Sequence, residues 1–588
     1  MKKKTKGLRS LKIILPHILR YKWRYIIGLV SLITVDVLQM FIPLLLKNYI
    51  DGLKAGKALQ EIYMYPLIIV IISASMITFR IIWRINIIGT SRHVETDLRD
   101  TLYSHLLKLD SEYFANVRTG DLMAKLTNDI QAVRMVAGQG ILISTDMIVM
   151  GSLSIFAMFH LDARLALMIL IPLPLISVTI YVGGKIIHRL FNKAQSIFSD
   201  MSAKVRENVD GMRVIKAYVQ EEAQIKEFQE INDGYYKTNM RLAMISSLIE
   251  PIVRILEGGV VALVIVYGGY MVIKSGLSLG SLVAFIGYLL MVIWPMIALG
   301  WVINLFQRGA ASASRLLEVL DVEPLVKDEE NALDVKDIKG KIEIKSLSFS
   351  YKRNVRHALF DITLKIEAGS AVAIVGQTGS GKSTLVKLIP RLIEPDRGSI
   401  YIDSIDVRDI KLGTLRKFLG YVPQDLFLFS DTLKGNITFG ADDAMDREIY
   451  DVSKAAGLWR DITSFPEGLK TFVGERGITL SGGQKQRVTL ARAILKRPKI
   501  LILDDIFSSV DADTEKEIIR GIRTLATSEK RTTIIVSHRL TSLTWVDEIF
   551  VLDKGKLIEK GNHEELMKRK GLYYKLYQKQ ALENELKG

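Results

Sequence analysis

The chain has 588 residues, no cysteine, and a formal net charge of +16 from 79 Lys and Arg against 63 Asp and Glu. Hydrophobic residues make up 49% and charged residues 24%, with a mean hydropathy of +0.22; a membrane half joined to a soluble half averages to such values. The missing cysteines exclude disulfides, thiol catalysis and zinc–thiolate sites, and the basic balance fits either nucleic acid or the anionic inner face of a membrane.

The start, Met1-Lys-Lys-Lys-Thr-Lys-Gly-Leu-Arg, has the charge of a signal-peptide n-region. The apolar stretch that follows Arg20, Lys22 and Arg24 runs on towards Lys47, however, which reads as an uncleaved first membrane span. Crossing a bilayer takes about 20 mainly apolar residues in a helix. Six segments meet or approach this length: 25–46, 62–84, 135–159, 165–184, 252–273 and 281–307. Pro172 and Pro174 lie in the fourth, where a membrane helix tolerates them.

The connections at 47–61, 160–164 and 274–280 are short, whereas 85–134 and 185–245 are long and rich in Lys and Arg. The positive-inside rule puts both termini and both long loops in the cytoplasm of a multi-pass protein of the cytoplasmic membrane. The spacing of Val205, Val209, Met212, Ile215 and Tyr218 is helical, so the long loops read as membrane helices continued beyond the bilayer. Arg80, Glu250 and Arg254 fit span ends or a wet cavity. Asp36 and Asp146 sit deeper and either line a substrate path or bond one helix to another. Met40, Tyr288, Met291, Trp294 and Trp301 read as packing or as pocket lining, packing being the commoner role. These spans also set aside the nucleic-acid reading of the charge.

Apolar runs stop after residue 310, and the helix at Arg315 ends before Pro324. The pattern from 341 onward is α/β. The sequence Gly376-Gln377-Thr378-Gly379-Ser380-Gly381-Lys382-Ser383-Thr384 fits the P-loop pattern fully, between an apolar strand at 371–375 and a helix. Glycines let backbone N–H groups crowd around phosphates, and a helix N-terminus adds positive potential. Lys382 is expected on the β- and γ-phosphates and Ser383 on Mg²⁺. A second apolar strand ends in Asp504-Asp505, which suits a Mg²⁺-facing aspartate followed by a water-orienting residue. Ser481-Gly482-Gly483-Gln484 opens a basic helix, a second anion-binding N-terminus. One nucleotide can use both ends only if two such domains face each other head to tail.

Leu480–Gln484, placed shortly before Asp504, resembles the signature of ATP-binding cassette (ABC) proteins, and other family elements follow in order. Tyr351 resembles the aromatic that stacks on adenine. Gln424 resembles the glutamine that links Mg²⁺ to the membrane domain. Val473–Gly477 resembles the loop found before the signature in exporters. Ser508–Asp511 resembles the loop that crosses the dimer interface, and His538 the switch histidine that contacts the γ-phosphate. In the first half, Tyr113 to Asp129 and Glu207 to Tyr218 resemble the two coupling loops.

The resemblance covers essentially the whole chain and is to half-transporter exporters, above all to one subunit of heterodimeric bacterial multidrug exporters. It implies a six-helix polytopic membrane domain (25–310, after a cytoplasmic segment 1–24), a linker (311–340), an α/β P-loop ATP-binding domain (341–580) and a tail (581–588). The implied cofactors are ATP and Mg²⁺. The implied partners are the lipid bilayer, a second half-transporter chain and a hydrophobic or amphipathic small molecule, with no nucleic acid. A homodimeric lipid or peptide translocator and an ATP-gated channel are alternatives on the same scaffold.

One position departs from the family. Most cassettes carry Glu directly after the Asp at the end of this strand, and this chain carries Asp505. Asp is one methylene shorter, which sets its carboxylate about 1 Å further from the attacking water. A displacement of that size costs on the order of 10²-fold in rate. The expectation is that this chain's own P-loop site binds ATP and hydrolyses it slowly.

Overall fold

The computed structural model describes residues 7–585 apart from 275, 352–356, 442, 508–511 and 529. The stretch Ser508–Asp511 therefore lies outside the described residues. The chain divides into two compact units, residues 1–107 with 118–322 and residues 108–117 with 323–588.

The named elements of the first unit are all helices. Among the described residues five helices are long and apolar enough to cross a membrane: Lys22–Lys54, Leu59–Leu106, Thr119–Leu161, Ala163–Asp210 and Leu279–Leu320. The remaining expected span, 252–273, lies at the end of the 54-residue helix Glu221–Lys274. Most of the two stretches read as long loops is thus helix continuing out of the spans. Wide π turns at Arg84–Gly89, Lys125–Asp129 and Val136–Gly140 lie within those helices, which run on through them. The last helix runs to Leu320, so part of the expected linker is helical.

Close helix approach here depends on small residues. A Cβ at Gly268 would meet Leu282 Cδ1 at 2.4 Å. Polar bonds also join the helices. Tyr288 is fully buried and its hydroxyl donates to Met40 O at 2.8 Å, so this pair packs the interior. Asp36 is 2% exposed, and Asp146 accepts from Trp294 Nε1 at 3.2 Å. Arg254 and Glu250 pair at 2.9 Å on an exposed face.

The second unit holds two sheets and a small ribbon. The antiparallel sheet has the order β2-β1-β4-β5, from β1 (Ile342–Phe349), β2 (Leu359–Ile366), β4 (Ile400–Ile402) and β5 (Ile405–Asp406). The larger sheet comprises β3 (Ala371–Gly376), β6 (Leu419–Val422), β9 (Ile500–Asp504), β10 (Thr532–Val536), β11 (Glu548–Asp553) and β12 (Lys556–Gly561). Its order is β12-β11-β3-β10-β9-β6, and all pairings are parallel except that of the edge strand β12. β7 (Asp431–Thr432) pairs with β8 (Phe472–Val473).

β3, β9 and β10 are buried along their whole length, the continuous apolar run that a sheet covered on both faces requires. Alternate residues feed different cores: Val372, Ile374, Ile500 and Ile502 pack on one side, and Ala373, Val375, Leu501 and Leu503 on the other.

The start of the last long helix is tied to the end of the first. Asp51 accepts from the Ser278 hydroxyl at 2.7 Å and from the Gly280 N–H at 2.9 Å. A carboxylate at a helix N-terminus satisfies donors that lack partners within the helix and meets the positive end of its dipole. Asp51→Ala should therefore cost about 1–2 kcal/mol, read as a lower melting midpoint of the detergent-purified chain. An unchanged midpoint would show that the tie contributes nothing.

Candidate functional site

Parallel pairing brings the motifs together. Val536 on β10 lies opposite Asp504 on β9 and Ile374 on β3, and Val422 on β6 lies opposite Leu503. The carboxyl ends of four strands therefore meet at one edge of the sheet. The P-loop leaves β3 there, Asp504 and Asp505 close β9, Ser537 and His538 follow β10, and exposed Gln424 lies two residues beyond β6. Ligands of open α/β sheets bind at such an edge.

The P-loop is shaped by positions that only glycine fills without strain. Gly376 has φ 150° and Gly381 φ 98°. A Cβ at Gly376 would meet Leu552 O at 2.1 Å, and one at Gly381 would meet Ala358 O at 2.7 Å. Lys382 is 5% exposed, and its ammonium donates to Gly376 O and Gln377 O, both at 2.9 Å. The lysine thus closes the loop into a ring around the space where its backbone amides gather. Ser380 is 3% exposed, and its hydroxyl has no hydrogen-bond partner among the described residues. Thr384 lies 3.2 Å from the Tyr351 hydroxyl, and the Tyr351 ring is held edge-on by Phe349.

Ser383 Oγ donates to Asp504 Oδ1 at 3.0 Å. Asp504 is 1% exposed, and its second oxygen, Oδ2, has no hydrogen-bond partner among the described residues. A buried carboxylate oxygen left unmatched beside a serine hydroxyl is costly unless a cation meets it. The pair suits a hard divalent ion such as Mg²⁺, which takes oxygen donors and keeps part of its water shell.

The charges here sense one another. Burial pushes the Asp504 carboxyl up, opposed first by the Ser383 hydrogen bond and then by Lys387. Burial holds the Lys382 ammonium below its usual range, against the pull of Asp504 and Asp505. Burial also lowers His538, with Lys382 adding to the effect and the two aspartates opposing it. Asp505 has φ 57°, a left-handed conformation that Asp tolerates better than most residues. Its N–H donates to Val536 O at 2.8 Å, which fixes the residue against β10.

Ser481–Gln484 forms a second group. Ser481 caps the helix Gly482–Leu495: its hydroxyl accepts from the Gln484 N–H at 3.3 Å, while Gln484 Oε1 accepts from the Ser481 N–H at 3.0 Å. This is a reciprocal capping box. Gln484 Nε2 also donates to Asp461, which pairs with Arg487 at 2.8 Å. Ser481 and Gly482 are exposed, and Gly483 is buried. The signature helix packs on the helices Leu433–Thr438 and Asp446–Ala455 and on β6, whereas the P-loop helix Lys382–Leu388 packs on β3 and β9.

Other elements around the site carry no sequence motif. Asp461 braces the signature helix, and Glu515 pairs with Arg539 at 2.6 Å next to His538. The short helix Ser111–Ala115 belongs to this unit, although its sequence lies between two membrane helices. With Tyr351, Lys387, Tyr421 and Pro423 it borders a cavity of about 490 Å³. Its Tyr113 and Phe114 open the stretch whose sequence resembles the first coupling loop.

Comparison with known proteins agrees with this arrangement. Residues 25–296 match the ABC transporter transmembrane region, and residues 359–508 match the family model described as ABC transporter. The chain is 41% identical over 565 residues to the probable multidrug resistance ABC transporter ATP-binding/permease protein YheI of Bacillus subtilis (strain 168), covering 96% of each chain. It is 36% identical to the multidrug resistance-like ATP-binding protein MdlA of Escherichia coli (strain K12), again over 96% of each. A solved bacterial Atm1-family ABC exporter with ATP bound superposes with a TM-score of 0.77 at 26% identity, over 95% of this chain and 99% of that one. With both halves matched along nearly their whole length, the chain belongs to the ABC transporters, as a membrane-embedded exporter chain in which an ATP-binding domain couples ATPase activity to transport.

Proposed function

We propose that this chain is one subunit of a heterodimeric exporter of amphipathic or hydrophobic small molecules, and that its own P-loop site hydrolyses ATP slowly. Residues 25–310 form the transmembrane domain in the cytoplasmic membrane, and residues 341–580 form the cytoplasmic cassette. The observation that carries the asymmetry is Asp505. It stands where a water-orienting carboxylate is needed and is held by its backbone to β10, while the capping box of Ser481 and Gln484 is fully formed. The chain thus offers a complete signature to a partner and a shortened base to itself.

At the chain's own site, Gly376–Thr384 receives the phosphates, Lys382 and His538 face the γ-phosphate, and Tyr351 meets the adenine. Ser383, Asp504 and Gln424 would hold Mg²⁺, which would neutralise phosphate charge when bound. ATP shared between two cassettes closes them because it binds the closed state more tightly than the open one, and the loops around 111–115 and 207–218 carry that closure to the membrane helices. A cargo of mixed character is supported by a groove of about 470 Å³ along the fourth and sixth spans. Apolar Ile180, Tyr181 and Trp301 line it together with Lys185, His188 and Asn304.

The lone chain in nanodiscs should be nearly silent as an ATPase, and Asp505→Glu should restore little, because the second cassette is missing. Turnover of the lone chain at ordinary transporter rates, on the order of 1 s⁻¹ or faster, would make it a working homodimer. In the assembled transporter, Ser481→Arg should reduce ATPase activity more than Asp505→Asn does, since the signature serves the faster site. Equal losses would remove the asymmetry.

A further inference from the structure

We propose that Gln580, on the C-terminal helix, is a positioning residue of the ATP site, its carboxamide clamping the loop that carries His538. After Val536 the chain leaves the sheet, and the backbone groups of the following loop lose the partners a neighbouring strand would give. Gln580 replaces them. Its Oε1 accepts from the Leu540 N–H at 2.8 Å, and its Nε2 donates to His538 O. One carboxamide thus supplies an acceptor and a donor to residues two apart, as a paired strand does.

The helix Leu572–Glu585 that carries Gln580 is anchored independently of it. Glu559 accepts from the N–H groups of Leu572 and Tyr573, at 2.5 and 3.2 Å. Tyr573 is fully buried, with its hydroxyl 2.8 Å from His563 Nδ1, and Leu576 packs against the core. The opposite flank of the loop is held by Glu515, which pairs with Arg539 and accepts from Ser542. The loop that carries His538 is therefore held from two sides, and the C-terminal helix is one of them. Leu576, Lys579 and Gln580 form one wall of a cavity of about 370 Å³; Gly376, Gln377, Thr378, Ser537, His538 and Leu540 line the rest. A displacement of Gln580 moves the histidine relative to the P-loop.

The side chain requirement is narrow. Glu accepts but cannot donate to His538 O. Asn is one methylene short. Leu fills the space and makes neither bond. The inference rests on the reading of His538 as a γ-phosphate contact, so the test separates the two. Full-length chain in nanodiscs is titrated with fluorescent analogues of ATP and ADP in the presence of Mg²⁺, and backbone hydrogen exchange is followed at residues 537–542.

Gln580→Leu should weaken ATP binding roughly 3–10-fold, the worth of one or two net hydrogen bonds. It should leave ADP binding unchanged and speed exchange of the Leu540 amide by a similar factor. Gln580→Glu should reproduce the ATP loss, and serves alone if the Leu variant does not fold. In a His538→Ala background neither change should weaken ATP binding further. If His538→Ala loses its preference for ATP over ADP while the Gln580 variants keep it, the role of Gln580 is overturned. Equal weakening of ATP and ADP by the Gln580 variants overturns it as well. A His538→Ala chain that keeps its preference overturns the reading of the histidine, and the proposal with it.

Discussion

The parallel pairing of β6, β9, β10 and β3 is the constraint on which the soluble half depends. Parallel strands place all their carboxyl ends on one edge, so residues from four distant parts of the sequence arrive there without long-range recognition between them. The registers Val536 to Asp504 and Val536 to Ile374 hold three strand ends level. Shifting one strand by a residue would turn its side chains to the opposite face. It would also pull Asp504 away from Ser383, at present 3.0 Å away. The two apolar cores that cover the sheet hold this registry in place.

Much of this was legible in the sequence because the relevant signals are local. The P-loop needs glycines at fixed spacing, and φ 150° at Gly376 and 98° at Gly381 are the conformations that demand them. Span lengths follow from bilayer thickness. The helical spacing at Val205–Tyr218 foretold a span that continues past the membrane, but it did not show the break at Gly211, after which Met212–Ala217 forms a separate short helix. The signature was readable as a helix start, since Ser481 and Gln484 stand three apart as a capping box requires.

What was hidden depends on contacts between residues far apart in sequence. Asp461 joins Gln484 and Arg487 across more than twenty residues, and no pattern around it marks it. Asp51 reads as one more charge in a short connection, yet it ties the first span to the last. Tyr288 and Met40 are compatible with a drug pocket by residue type. Their hydrogen bond, buried between helices, shows them as packing, while Trp294 and Trp301 stay about half exposed. Periodicity identifies a helix face that is apolar but not which neighbour covers it.

The short helix Ser111–Ala115 has a consequence for how the chain is made. It belongs to the cassette's compact unit, whose main body begins only at residue 323. Ribosomes add roughly 5–20 residues per second, so the two hundred or so residues between them take roughly 10–40 s to synthesise. For that interval the segment is made but the rest of its unit does not yet exist, and five residues alone do not hold a helix in water. Covalent order and folding order thus run against each other in this protein: residues 108–117 are made well before the rest of the compact unit they belong to.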